Sequence, residues 1–315
     1  MDNPFDFDYV EPVACDDSEN IAVTYGDAGT GKSAAIQRLA SAVYHADPAP
    51  EASLSATLSK ILLSKSPIHA WHASPRLNPD WEPVNKKTFD IGRAAHRAVL
   101  GCGDDYCAIP EDILASNGAA STKEAKAFIA AARDAGQTPL KADECEQIEA
   151  MREVAHARLR EHGIVLDPAR SELAAVAQVD GVWCRAMFDN VDADPRKPIY
   201  DFKTCEDASP EACLRAILNY GYDVQAEHYV AVWKAATGET RPFVFIFQEK
   251  SAPHEITLVQ LSGSFREVAQ RRAARARKLW ADCTASNNWP GYPVGLHEVD
   301  APAWFVERAT EEAFA

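Results

Sequence analysis

Long apolar runs are missing from this chain. None approaches the roughly 18 residues of a membrane-spanning helix. The longest, such as Phe243 to Phe247, have only the length of a strand. Basic residues are missing from the start: residues 1–30 hold no lysine or arginine, and the first base is Lys32. The sequence therefore predicts no secretory signal and a cytoplasmic location. Close cysteine pairs are missing too. The eight cysteines (Cys15, Cys102, Cys107, Cys145, Cys184, Cys205, Cys213 and Cys283) are scattered, with no C-x-x-C. That spacing argues against zinc or iron–sulfur sites and for reduced thiols.

Positive charge is short overall: 32 Lys and Arg face 47 Asp and Glu, a net −15 over 315 residues. A uniformly acidic surface would repel nucleic acid. The excess is uneven, however. Asp2, Asp6, Asp8, Glu11, Asp16, Asp17, Glu19 and Asp27 lie in the first 30 residues, and the rest of the chain holds 32 bases against 39 acids. The acidity therefore reports an N-terminal arm over 1–42 more than the body over 43–315. Apolar residues at 47% and charged residues at 25% are what a globular domain needs.

The hydrophobic pattern predicts a short strand over 21–25 and a helix over 33–44. A second helix follows over 53–63, capped by Ser53 or Ser55 and stopped by Pro67. Residues 72–87 read as a loop and 89–101 as a helix ended by Gly101. Ala- and charge-rich helices over 120–135 and 141–161 form an insertion. Strands then follow at 172–179 and 182–189, joined at Asp180-Gly181, a hairpin signal. A third strand over 198–204 precedes helices at 209–219 and 222–236. Strands at 242–249 and 255–261, a basic helix over 264–282 and a WPGY turn (289–292) complete the chain. The class is α/β.

The segment GDAGTGKS (26–33) matches a phosphate-binding loop, with Gly31, Lys32 and Ser33 as nucleotide contacts. A strand before it and a helix after it suit that role. A P-loop ATPase also needs a parallel sheet and a second acid for the metal. The next strand begins only near Leu173, and the one candidate acid is Asp201. Nucleotide hydrolysis is thus an alternative reading.

The segment from Glu172 to Lys203 carries a different chemistry. Asp189 ends one hairpin strand, while Asp201 and Lys203 stand two apart on the next, on one face. Carboxylates can hold Mg²⁺, which neutralises a phosphodiester and acidifies a bound water. A lysine beside them can orient that water or offset charge on the phosphate. Taken singly, a D-x-K pair also suits an ordinary surface ion pair. His96 follows Gly92 on a helix, and Gln225 and Tyr229 share a helix face by their i, i+4 spacing.

Together these stretches resemble the PD-(D/E)xK nucleases, and in particular the exodeoxyribonuclease VIII branch of phage and prophage recombination enzymes. The matching stretches are YHADPA (44–49), SLSAT (53–57), FDIGRAAH (89–96), SE (171–172), WCRAMFD (183–189), YDFKT (200–204) and YGYDVQAEHY (220–229). FQE (247–249) and WPGY extend the resemblance over most of the chain; residues 1–42 depart from it. The resemblance implies a central mixed sheet flanked by helices. It implies His96, Asp189, Asp201 and the backbone carbonyl of Phe202 as ligands of Mg²⁺, or of Mn²⁺. It implies Lys203 as the catalytic lysine, Glu172 as an assisting acid, and Gln225 and Tyr229 as residues that shape the site or touch DNA. It further implies digestion of linear duplex DNA from the 5′ end, 3′ tails handed to a single-strand annealing protein, and assembly as a homo-oligomer.

The basic helix adds Arg271 and Arg275, one turn apart, as contacts to DNA phosphates. The same pattern also suits a solvated helix face. Three readings result: a Mg²⁺-dependent DNA exonuclease, a P-loop ATPase, and a non-catalytic DNA-end-binding module.

Overall fold

The computed structural model describes residues 22–23, 34–82, 90–103 and 105–313. The first elements are strands β1 (Ala22–Val23) and β2 (Ala34–Arg38), helix α1 (Ser41–His45) and strand β3 (Leu54–Ser55). Helices α2 (Ala56–Ser64), α3 (Pro67–Ala73) and α4 (Asp90–Leu100) follow. A peripheral layer holds β4 (Tyr106–Ala108), α5 (Lys123–Asp134), β5 (Thr138–Leu140) and α6 (Ala142–Glu161). The central strands are β6 (Ser171–Val179), β7 (Val182–Val191) and β8 (Ile199–Cys205). Then come α7 (Pro210–Tyr220), α8 (Tyr222–Thr237), β9 (Phe243–Glu249), β10 (Ile256–Val259), α9 (Gly263–Ser286) and α10 (Ala303–Ala313).

The main sheet runs β1-β2-β6-β7-β8-β9-β10. It is mixed: β8 and β9 are parallel, and the other neighbours on this path are antiparallel. The α/β class and the mixed sheet flanked by helices are therefore as expected. Alternation along each strand feeds two cores. Ile199, Phe243, Phe245 and Phe247 face one, with α2, α8 and α9; Tyr200, Phe202 and Ile246 face the other, with α4 and α6. Each such large side chain contributes about 1.5–3 kcal/mol when fully buried.

Local chemistry explains the boundaries. The Ser55 hydroxyl accepts the Leu58 N–H at 3.2 Å and starts α2. Asp180 and Gly181 both take positive φ, 52° and 77°, as a tight hairpin requires. Gly221, at φ 64°, ends α7 and opens α8, turning the chain sharply between them.

Two expectations are corrected. Residues 33–44 are not one helix: β2 pairs with β6 from Ala34↔Ala177 to Arg38↔Leu173, and α1 starts only at Ser41. The alanines that favour helix give way to a free edge on β6. The sheet thus begins upstream of residue 43. Pro67 does not end α2, which stops at Ser64; it opens α3 at the first turn, where its missing N–H is harmless.

Candidate active site

Strands β7 and β8 are joined only at Asn190↔Tyr200 and Val191↔Ile199. Beyond that point they part, and β3 pairs instead with the far end of β7 at Leu54↔Cys184. The fork between them opens beside Asp189 and Asp201. The alternation of β7 also slips there: Cys184, Ala186 and Phe188 share a core with Val191, three residues on. Opposite, Glu172 sits between the pairs Ser171↔Asn190 and Leu173↔Phe188 with φ 51°. A left-handed glutamate costs on the order of 1 kcal/mol or more and is the kind of strain that collects at working sites. Gly103, at φ 112°, leaves it room, since a Cβ there would come within 2.8 Å of Glu172 Oε1.

Three of the expected residues meet at once. His96 Nε2 lies 3.1 Å from Asp189 Oδ2, and His96 Nδ1 lies 3.3 Å from Glu172 Oε1. Helix α4 carries His96 here and is tied to β6 by the Ser171 hydroxyl, which donates to the Leu100 carbonyl at 3.0 Å. The Phe202 N–H donates to Asp189 Oδ2 at 2.6 Å. The resemblance points to the Phe202 carbonyl; the contact observed is made by its N–H. On the other side of the fork, Lys203 pairs with Asp201 Oδ2, and Gln225 Nε2 donates to Asp201 Oδ1 at 2.7 Å.

The electrostatics follow from this packing. Burial drives the Asp201 carboxyl up to about 6 despite Lys203 beside it. Burial also opposes charge on Asp189, Lys203 and His96, but their partners prevail. His96 and Lys203 hold Asp189 low, Asp201 and Asp189 push the Lys203 ammonium up, and Asp189 with Glu172 raises His96 to about 10. Asp189 and Asp201 thus face Lys203, and a proton on His96 places a positive charge between Asp189 and Glu172.

Among the described residues, no three His, Cys, Asp or Glu side chains form a ready cage for a metal ion. The donor chemistry nevertheless fits one. Asp201 Oδ2 is buried, and its one partner among the described residues is the Lys203 ammonium. Carboxylate oxygens and an imidazole suit Mg²⁺ or Mn²⁺. Ligation through His96 requires its neutral form, so binding would release the proton.

Not every expected residue arrives. Tyr229 shares the α8 face but lies in the aromatic core, its ring 5.3 Å from Phe188 and 6.1 Å from Phe243. No hydrogen bond joins it to the carboxylates among the described residues, yet its hydroxyl lies near them: burial, then Tyr44, Asp201 and Asp189, push its pKa well above the ordinary value. Gly31, Lys32 and Ser33 lie outside the described residues. The helix that a phosphate loop needs directly after it is replaced by β2.

Of the bases on α9, Arg266 pairs with Glu227, Arg272 with Asp223 and Arg277 with Asp180. Arg271 and Arg275 stay exposed, and no ion pair of theirs occurs among the described residues. Sequence reasoning missed Lys60, whose Nζ donates to Gln225 Oε1 at 3.4 Å. Its i, i+4 place after Ala56 on α2 carries no signal of its own.

Comparison with known proteins agrees with this geometry. A crystal structure from Eubacterium rectale, described as a "Putative exonuclease", aligns with TM-score 0.52 at 14% identity, over 82% of this chain and 96% of that one. At that identity the likeness shows the fold alone. No curated protein matches the sequence. Residues 58–298, about three quarters of the chain, match the family described as "PDDEXK-like domain of unknown function" (DUF3799). The chain belongs to this PDDEXK-like family.

Proposed function

We propose that the protein is a Mg²⁺-dependent exonuclease acting on linear double-stranded DNA, with Mn²⁺ as a working substitute. The observation that carries this reading is the β7–β8 fork, where Glu172, Asp189 and Asp201 gather beside Lys203 and His96. His96, Asp189, Asp201 and the Phe202 carbonyl would hold the ion, with Glu172 assisting. When bound, such a cation neutralises the phosphate and acidifies a water.

The chain's own residues do the rest. Lys203 keeps its proton, because Asp201 and Asp189 stabilise the ammonium against burial. It therefore works as an N–H donor that orients the attacking water and offsets charge on the phosphate oxygens, not as a base. Gln225 holds Asp201 Oδ1 and so fixes which carboxylate oxygen faces the fork. Glu172 and Asp189 together fix the His96 ring. Arg271 and Arg275 would contact the duplex backbone.

The resemblance to exodeoxyribonuclease VIII supports the finer points: attack from the 5′ end, 3′ tails for a single-strand annealing protein, and assembly of several copies. The test is nucleotide release from linear duplex DNA labelled at either end, with Mg²⁺, with EDTA and with Asp201→Ala. Release with Mg²⁺ alone, 5′ label first, and none from the variant is expected. No release by the wild type, or equal release by Asp201→Ala, overturns the reading; end binding without release favours the non-catalytic module.

A further inference from the structure

Lys60 forms no ion pair among the described residues, and Asp201 favours its charge only through space. It rises from α2 toward the fork, half-buried, and its nearest polar partner is the neutral Gln225 amide oxygen at 3.4 Å. Its ammonium lies 5.3 Å from the centre of the Tyr222 ring, and Lys203 lies 5.3 Å from the same ring. Two lysines therefore stand against one aromatic ring, but among the described residues only Lys203 forms an ion pair with a carboxylate. The α7–α8 turn is shaped around the Lys60 stem. Gly221 stands at φ 64°, and a Cβ there would come 3.2 Å from Lys60 Cγ. Burial and the neighbouring Lys203 lower the Lys60 pKa to about 8, as expected of a charge short of compensation. A half-buried ammonium beside a second ammonium, with no ion pair of its own among the described residues, is a place prepared for an incoming anion.

We propose that Lys60 is a second phosphate-contacting lysine, whose ammonium binds a non-bridging oxygen of the DNA phosphodiester held at the fork, beside the Tyr222 ring that Lys203 also approaches. This rests on the nuclease reading and adds to it the group that receives the substrate phosphate. Lys203 is tied to Asp201, whereas Lys60 is free to move onto the phosphate. The approach of a phosphate also removes the like-charge repulsion between the two lysines.

The test is binding of full-length protein to a short linear duplex, with Ca²⁺ replacing Mg²⁺, over a range of salt concentrations. The proteins are wild type, Lys60→Met and Lys60→Arg. Lys60→Met should bind about tenfold more weakly and lose about one from the slope of log affinity against log salt. Lys60→Arg should keep that slope, because its charge remains. A merely structural lysine would leave the slope unchanged in both. Lys60→Gln serves as the neutral variant if Lys60→Met melts well below wild type. An unchanged slope in a folded neutral variant overturns the proposal while leaving the nuclease reading intact, provided the wild type cleaves DNA with Mg²⁺. A wild type that neither binds nor cleaves duplex DNA overturns both.

Discussion

Strand β7 carries two buried charged clusters only four residues apart, and they behave in opposite ways. Around Arg185 the charges are matched and sealed from solvent, and of the guanidinium only Nε is buried without a hydrogen-bond partner among the described residues. Its guanidinium reaches Asp47 Oδ2 at 3.0 Å and the Ser53 carbonyl and hydroxyl at 2.8 Å each. Asp47 also accepts from the Ser53 N–H at 2.8 Å and the Ser53 hydroxyl at 2.6 Å. Arg76 clamps the same turn through the Asp47 and Ala49 carbonyls. The Arg185 and Asp47 side chains are 4% and 0% exposed. Around Asp189 the matching is incomplete. His96 and Lys203 stay 25% and 18% exposed, Asp201 Oδ2 has Lys203 as its one partner, and Lys60 forms no ion pair among the described residues. Buried charge alone therefore does not mark a site. A set of paired charges sealed from solvent holds the fold, and a set that opens onto solvent can receive a ligand.

The contrast can be broken most forcefully at the fork. Lys203→Met should lower nucleotide release by about a thousandfold, the scale for losing a donor aimed at developing charge, a loss far beyond any fall in the folded fraction. At the other cluster, Arg185→Met should leave Asp47 buried and unpaired. A loss of about 3–5 kcal/mol in urea unfolding is expected there, with activity falling only as the folded fraction falls.

A third prediction concerns His228, whose Nε2 bonds the Arg185 carbonyl at 3.0 Å. Burial lowers its pKa from 6.5 to about 4, so the folded chain keeps the ring neutral. Between those values the unfolded chain binds a proton that the folded chain refuses. Stability should therefore fall as pH drops from 6.5 to 4, by on the order of 3 kcal/mol, and His228→Gln should flatten that stretch of the curve. The smallest effect belongs to the surface. Charge reversal at Arg271 and Arg275 should weaken duplex binding and reduce its salt slope by about two, with melting unchanged. An unchanged slope would remove α9 from the interface.

Much of this was legible in the sequence because it is local. The Asp180-Gly181 hairpin, the strand carrying Asp201 and Lys203, and the α7–α8 pair all follow from turn chemistry and period. The motif over 220–229 was legible as a motif but not in its parts. Asp223 and Glu227 turn to the arginines of α9, Gln225 turns to Asp201, His228 to the β7 backbone, and Tyr229 enters the core. Helical spacing gives neighbours on a face, not what the face meets. The stretch YHADPA gave no hint that Asp47 would bind Arg185, because that contact spans well over a hundred residues. Strand β2 was missed for the same reason: its partner β6 decides it, not its alanines.

The account turns on Asp201 being tuned for work and not for stability. Its most direct test is nucleotide release by Asp201→Asn, assayed on protein whose melting temperature is measured in the same preparation. The account predicts no release with Mg²⁺ and melting at or above wild type, since a carboxylate whose charge burial already disfavours has been neutralised. Release at the wild-type rate, or a collapse in melting like that of Arg185→Met, would contradict it.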